Sequence, residues 1–427
     1  MSKKLNKNIP ELRFPEFRNQ EHVIYQLSEI SVVERGKFTA RPRNSPKYYG
    51  GCIPFVQTGD VTGSRGKINS YSQTLNEQGL KVSKLFPKGS ILITIAANIG
   101  DVAITEIDVA CPDSIVVIQA KSSTSRDWLF YYLGLTKAKL ETFATQNAQK
   151  NINLQVLRPL EISTPSIAEQ EKIASFLGAI DTRLTQLRRK HKLLQTYKRG
   201  VMQKIFSQEV RFKGAIGSAF PDWEKKKMGE VFTRITRKNK ENNLNVLTIS
   251  AQYGLINQRE FFNKSVAADD LTGYYLLKCG DFAYNKSYSN GYPMGAIKRL
   301  NLHEKGVVST LYICFSTSDE VEARFYEKYF DGGFLNHELH KIAQEGARNH
   351  GLLNMSVVEF FRDITLDYPD TEEQEKIADF LTAIDQKIEA VARQVDRTEQ
   401  FKKGLLQKCL CRLLKLSHTT HQNPSLP

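Results

Sequence analysis

The sequence predicts an α+β protein with a pseudo-two-fold internal repeat. Two loop-rich domains of mixed helix and strand are separated by two long helices that pair as an antiparallel coiled coil. Three observations carry this. A stretch beginning at Pro165 recurs at Pro369 with a constant offset of 204 over 42 positions, 17 of them identical. Within both copies apolar residues return at alternating steps of three and four, the period of a helical seam. The globular regions carry short β-rich runs broken by many glycine turns. A repeat of this length sets the architecture before any local feature is weighed.

The chain has 427 residues, enough for several hydrophobic cores. No apolar run reaches the roughly 18 residues that span a bilayer, and no apolar stretch follows the basic start Met1–Lys7. A cytoplasmic protein with no membrane contact is the expectation. The cysteines (Cys52, Cys111, Cys279, Cys314, Cys409 and Cys411) form no Cys-x-x-Cys pair and read as reduced thiols. The net charge of +14 is uneven, at +7 for residues 1–164, +6 for 165–206, +1 for 207–368 and 0 for 369–427. Such a basic first half suits phosphate partners.

Taken in order, residues 1–11 form a basic arm and 12–164 a first domain. In that domain strands are expected at Ile53–Val56, Ser90–Ala96 and Ile115–Ile118, and a helix over Ser125–Phe143. The first spacer helix occupies 165–207. Ser166 with Glu169 reads as a capping box, as does Asp370 with Glu373. The seam of the first helix holds Ile173, Leu177, Ile180, Leu184 and Leu187, then Leu194 and Val201. That of the second holds Ile377, Leu381, Ile384, Ile388 and Val391, then Val395 and Leu405. Each stripe needs cover, and the economical arrangement packs one copy on the other. His191, Lys198, Thr398 and Lys402 interrupt the seams as polar residues that fix register. A second domain spans 208–368, the second spacer helix 369–411, and a disordered tail 412–427. Phe220-Pro-Asp-Trp223 echoes Phe14-Pro-Glu-Phe17, so the domains share a ground plan.

Chemistry is sparse. There is no Walker loop, no Gly-x-Gly-x-x-Gly and no Gly-x-Ser-x-Gly. His337 and His340 lack the spacing of a zinc helix, and no metal ligand set is expected. Pro112-Asp113 with Gln119-Ala-Lys121 resembles a degenerate nuclease motif. Its second carboxylate is a glutamine, however, and paired carboxylates are what the metal needs. A strand begun through a Pro–Asp turn explains it better. No catalytic residue is assigned.

The repeated Glu-Gln-Glu-Lys-Ile-Ala-x-Phe-Leu-x-Ala-Ile-Asp, at Glu169–Asp181 and Glu373–Asp385, closes each of two divergent domains. In this it resembles the specificity (S) subunit of type I restriction–modification systems. Ile53-Pro-Phe-Val-Gln-Thr-Gly-Asp60, Lys88-Gly-Ser-Ile-Leu92, Asn153-Leu154, Asn285-Lys286, Gly306-Val-Val-Ser309 and Asn354-Met355 support the resemblance. It implies that each domain is a target-recognition domain reading half of a bipartite DNA site. The coiled coil would set the spacing and dock two adenine-N6 methyltransferase subunits, with restriction subunits joining the complex. The chain itself would do no chemistry and bind no cofactor. S-adenosylmethionine, ATP and Mg would belong to the partner subunits. Gln170 and Gln374, with the seam residues through Leu187 and Val391, would be the coiled-coil and partner-facing set. A self-contained DNA nuclease or methyltransferase, or a stand-alone DNA-binding scaffold, stays open as an alternative.

Base-edge readout uses Arg, Lys, Asn, Gln and Ser/Thr on loops, and phosphate contacts use cations and free backbone N–H groups. By that criterion the first domain offers Arg41, Arg43, Gln57, Thr58, Asp60, Arg65, Lys67 and Asn98. The second offers Gln252, Tyr253, Lys286, Tyr288, Asn290, Arg348, Asn349 and His350.

Overall fold

The computed structural model describes residues 10–145, 152–259, 270–289, 291–343 and 353–410. The chain divides into two compact units, one drawn from Met1–Leu187 and Gln394–Pro427, the other from Arg188–Arg393. The division cuts both long helices. Each unit therefore holds one domain, the first half of the helix that follows it, and the last half of the other helix.

In the first unit a five-stranded sheet runs Ser31–Arg35, Ile115–Ala120, Ile91–Thr94, Val102–Thr105 and Lys67–Ile68, antiparallel except for the last pair. Its central strands are apolar at successive positions because both faces are covered. Ile91, Ile93 and Ile118 meet Trp128, Leu129, Ile173 and Leu177 on one face, while Leu92, Ile115 and Val117 meet Val56, Phe86 and Ala103 on the other. Gln73–Leu75, Tyr49–Phe55, Val109–Ala110 and Leu85–Phe86 form a second sheet. Val23–Gln26 pairs with Glu161–Thr164 and closes the domain. The helix expected over Ser125–Phe143 is two helices, Arg126–Leu135 and Lys137–Thr145. The Thr136 hydroxyl between them donates to the Leu133 carbonyl at 2.7 Å, a local bond that competes with the helical ladder.

In the second unit Phe232–Arg234, Ile313–Thr317, Phe282–Asn285 and Ala296–Arg299 repeat the antiparallel core of that sheet in the same order. Here the core is aromatic. Phe232, Phe282, Phe315, Tyr326 and Phe330 interlock in edge-on and stacked contacts, beneath the helix Ala323–Asp331 and the seam residues Ile377 and Leu381. Glu224–Lys227 pairs with Thr365–Tyr368, the counterpart of the closing strands of the first unit.

The long helices are Ile167–Phe206 and Thr371–Leu410, each of 40 residues and so about 60 Å long. Within each unit the two helix halves run antiparallel. In the first, the amide of Leu12 bonds to the Lys408 carbonyl while Arg13 beside it holds Glu169; further along, Lys402 pairs with Asp181 at 2.5 Å. In the second, Arg211 holds Glu373 just past the end of the first helix, and Lys198 pairs with Asp385 at 2.5 Å. The polar interruptions Lys198 and Lys402 thus each meet a carboxylate of the facing helix. The seams are not covered by each other alone. Ile173 and Leu177 lie in one core with Trp128 and Leu129 of their own domain, and with Leu405 and Leu410.

The expected capping boxes are absent, because tertiary partners take both glutamates. Glu169 is buried and accepts from Arg13 Nε at 2.8 Å and Nη2 at 2.5 Å, with His22 Nε2 at 3.7 Å, while Ser166 Oγ donates to Gln20 at 2.9 Å. Glu373, equally buried, accepts from Arg211 Nη2 at 2.7 Å and Trp223 Nε1 at 2.9 Å. In this copy only Asp370 caps, accepting from the Glu372 amide at 2.9 Å. Gln170 and Gln374 are buried too. Gln170 accepts from the Ser125 amide at 2.8 Å and donates to the Pro165 carbonyl at 2.9 Å. Gln374 accepts from the Glu322 amide at 3.1 Å and donates to the Pro369 carbonyl at 2.9 Å. Both glutamines face their own domain, which corrects the expectation that they face a partner subunit.

Burial works against the Glu169 charge, but the neighbouring His22 and the hydrogen bonds and charge of Arg13 hold its carboxyl below the ordinary value of 4.5. Its stabilisation is present above the unfolded pKa of about 4.3 and fades as pH falls through the lower folded value. Breaking a buried ion pair costs about 3–5 kcal/mol. Glu169→Gln should therefore lower the melting temperature of the first unit by roughly 6 °C or more, and flatten the acid limb of stability against pH in scanning calorimetry. An acid limb as steep as the parent's would contradict this role.

Candidate nucleic-acid interface

The first unit brings one group of the sequence-predicted residues together. Gln57 and Asp60 open the short helix Thr58–Gly63 as a capping box, with the Gln57 amide donating to Asp60 Oδ2 at 2.8 Å. Ser72 Oγ donates to the same oxygen at 3.0 Å. Asp60 therefore serves the turn through Oδ2. Gln57 Nε2 donates to Gln73 Oε1 at 3.0 Å. Thr58 begins the helix, and its carbonyl accepts from Thr62. One turn on, Thr62 Oγ1 donates to Asp101 at 2.7 Å and accepts from Asn98 Nδ2 at 3.2 Å, and Lys137 holds the other oxygen of Asp101 at 2.5 Å. The loops around 57–67 and 96–101 are thereby tied into one surface.

Arg65, Lys67 and Asn98 are exposed on that surface. Arg65 lies in the left-handed region at φ 54°, followed by Gly66 at φ 97°. A side chain at Gly66 would come within 2.8 Å of the Phe130 ring, so this turn needs glycine. Lys67 is shared with Glu106 at 3.5 Å, whereas Arg65 has no hydrogen-bond or ion-pair partner among the described residues.

Arg41 and Arg43 are not part of this group. They precede strand Tyr49–Phe55, and Gln57 follows its far end. Arg43 is anchored where it stands: Tyr49 Oη donates to its carbonyl at 2.6 Å, and its guanidinium pairs with Asp113 at 2.7 Å. Burial opposes the Asp113 charge, but Arg43's hydrogen bond and the charges of Arg43 and Arg35 keep its carboxyl below the ordinary range. Arg41 donates to the Ala40 carbonyl at 2.8 Å. The residues of the degenerate nuclease motif also part company. Lys121 donates to the Glu29 carbonyl at 2.7 Å, Gln119 faces Ser90, and Asp113 belongs to Arg43.

In the second unit Gln252 and Tyr253 form the turn between strands Leu247–Ser250 and Gly254–Asn257, with Tyr253 65% exposed. Lys286 and Tyr288 lie on the loop after Phe282–Asn285, with Tyr288 64% exposed. Asn290, Arg348, Asn349 and His350 lie outside the described residues. Lys286 borders a cavity of about 150 Å³ whose walls include Arg234, Tyr275, Thr310 and Tyr312. Arg234 and Thr310 were not anticipated from the sequence. They meet only because strand Phe232–Arg234 pairs with Ile313–Thr317, a contact between distant segments that leaves no local signal.

Among the described residues no three or more His, Cys, Asp or Glu side chains gather as a metal would require, and no helix is long and apolar enough to cross a membrane.

Solved structures share the fold. The S subunit of a type I restriction–modification system from M. genitalium aligns with a TM-score of 0.56 at 15% identity, covering 94% of this chain and 99% of that one. The HsdS subunit from Thermoanaerobacter tengcongensis aligns at 0.50 and 18%, covering 91% and 96%. Among curated proteins of Methanocaldococcus jannaschii, the MjaIX specificity subunit is 27% identical over 202 residues, 43% of this chain and 46% of that protein. The MjaVIII specificity subunit is 24% identical over 345 residues, 75% of this chain and 77% of that one. The chain thus matches about half the length of the first relative and three quarters of the second. The model of the type I restriction modification DNA specificity domain matches twice, at residues 19–195 and 221–397. Two matches covering most of the chain, each taking in one domain and the start of its helix, establish that the chain belongs to the type I restriction–modification DNA specificity family.

Proposed function

We propose that this chain is the DNA-reading, non-catalytic subunit of a type I restriction–modification complex working in the cytoplasm. The observation that carries this is the specificity-domain match to both halves of the repeat. Each domain reads one half of a bipartite site in double-stranded DNA. Divergence between the heads supports two different half-sites: the first presents a tied pair of loops with Arg65 and Asn98, the second a tyrosine-tipped hairpin and the Lys286 loop. Two methyltransferase subunits carrying S-adenosylmethionine act on adenine N6, and restriction subunits use ATP and Mg. The exposed faces of the long helices are the docking ground for the methyltransferase subunits, since Gln170 and Gln374 are occupied inside the chain.

Arg65 has no competing partner, so it is the first head's foremost base-reading side chain. Arg65→Ala should relax one half-site by about 1–3 kcal/mol at a single base and leave the other half-site as it was. Sequencing methylated sites in cells that co-express the methyltransferase partner reads this. Uniform loss at every site would make Arg65 a phosphate contact instead.

The long helices act as the spacer between half-sites. Three heptads added to each helix, between Thr182 and Tyr197 and between Gln386 and Phe401, keep both ion pairs and lengthen the pair by about 31 Å. That is close to one turn of DNA, about 34 Å. Mapping methylated adenines should show a spacer longer by roughly one turn, with both half-sites intact. Methylation at the original spacing would defeat the idea.

A further inference from the structure

A cavity of about 150 Å³ opens beside strand Phe232–Arg234 of the second unit. Its floor is apolar and buried, formed by Ile235, Ile313 and Cys314. Arg234, Lys286 and Thr310 give its wall two cations and a hydroxyl. Among the described residues neither cationic side chain has a hydrogen-bond or ion-pair partner. Other cations of this domain do. Arg237 pairs with Asp281 at 2.8 Å, and Lys298 with Asp331 at 2.6 Å. Two like charges lining one recess repel each other, and an anion placed between them relieves that repulsion.

Concavity selects the anion. Base edges lie deep in a groove, about 8.5 Å below its rim on the major side, so they are read by side chains that protrude. Phosphates protrude from the duplex and enter recesses. We infer that this cavity receives one DNA backbone phosphate beside the second half-site, held between Arg234 and Lys286 with the Thr310 hydroxyl donating. The inference rests on the DNA-reading role proposed above.

The first head does not share the device. In the equivalent sheet buried Val33 stands opposite Ile118, as Arg234 stands opposite Phe315; Ile118 and Phe315 correspond because they pair with Ile91 and Phe282 at matching places. Asp113 lies on the turn before the central strand, where the second head has Thr310 and Leu311. A buried valine and an acid occupy these places in the first head, so the phosphate contact belongs to the second head alone.

The test uses the full chain and a pool of random-sequence duplexes, with affinity read by fluorescence anisotropy from about 50 to 200 mM salt. Arg234→Ala with Lys286→Ala should lower the log–log salt slope by about 0.9. The ratio of parent to variant affinity then shrinks roughly 3.5-fold across that range, and the sequences enriched in the bound fraction stay the same. The charge-preserving pair Arg234→Lys and Lys286→Arg should keep the parental slope. If the alanine pair melts well below the parent, Lys286→Gln alone should show the reduced slope. An unchanged slope in a folded alanine variant overturns the inference, as does a changed base preference, which would make the cavity a base reader. A parent chain that binds no duplex at all would instead remove the DNA reading itself, a failure visible before any variant is made.

Discussion

Each unit depends on a buried carboxylate in the first turn of its long helix. Glu169 is held by Arg13 with His22 nearby, and Glu373 by Arg211 and Trp223. Around each, the same supports recur. Arg13 also donates to the Gln20 carbonyl at 2.6 Å, as Arg211 does to that of Pro221 at 2.6 Å. Phe14 packs edge-on against Phe176, and Phe212 against Phe380. A buried carboxylate is tolerable only with its partners present, because an unpaired charge in the interior costs several kcal/mol. One glutamate therefore obliges the chain leading into each domain to return to the point where its helix departs. The closing strands, Val23–Gln26 with Glu161–Thr164 and Glu224–Lys227 with Thr365–Tyr368, complete the same closure through backbone pairing.

This closure determines how the helices divide their work. Their first turns are committed to the domain they leave, through Gln170 and Gln374 as well as through the apolar seam. The remaining length pairs with the facing helix, and there polar seam residues set the register. Lys402 meets Asp181, which also accepts from Tyr131 at 2.7 Å; Lys198 meets Asp385, which also accepts from Lys328 at 2.8 Å. A half-exposed ion pair adds little stability. A register shift of one heptad would leave each lysine facing an apolar seam without its acid, so the pairs weigh against alternatives more than they favour the native state.

What was legible in the sequence follows from range. The long helices, their antiparallel pairing and the two-domain plan could be read because a seam repeats locally and the repeat doubles the signal. Even the ion pairs were implicit. Asp181 and Lys198 recur at the same spacing as Asp385 and Lys402, and in an antiparallel pair of identical helices each acid then faces the other copy's lysine. The carboxylate clasp was not legible, because Arg13 is 156 residues from Glu169 and a local capping rule competes for the same glutamate. Asp60 shows the opposite case. Its three-residue spacing from Gln57 is a local signal for a helix start, and the short helix Thr58–Gly63 begins there.

The two heads agree in their interiors' plan and differ where solvent reaches them. The four central strands keep one order in both, yet the edge facing the turn before the central strand carries Val33 and Asp113 in one head and Arg234 and Thr310 in the other. Val33 is buried in the core and Asp113 is held by Arg43, whereas among the described residues Arg234 and Lys286 have no hydrogen-bond or ion-pair partner for their side chains. The edge strand keeps a core side chain in both heads, Val33 in the first and, in the second, Phe232 packing against Phe315, which stacks on Phe282, while its exposed end varies. Exposed residues at this edge can therefore change without disturbing the clasp on which each fold depends, and that separation allows one architecture to carry two unlike surfaces in a single chain.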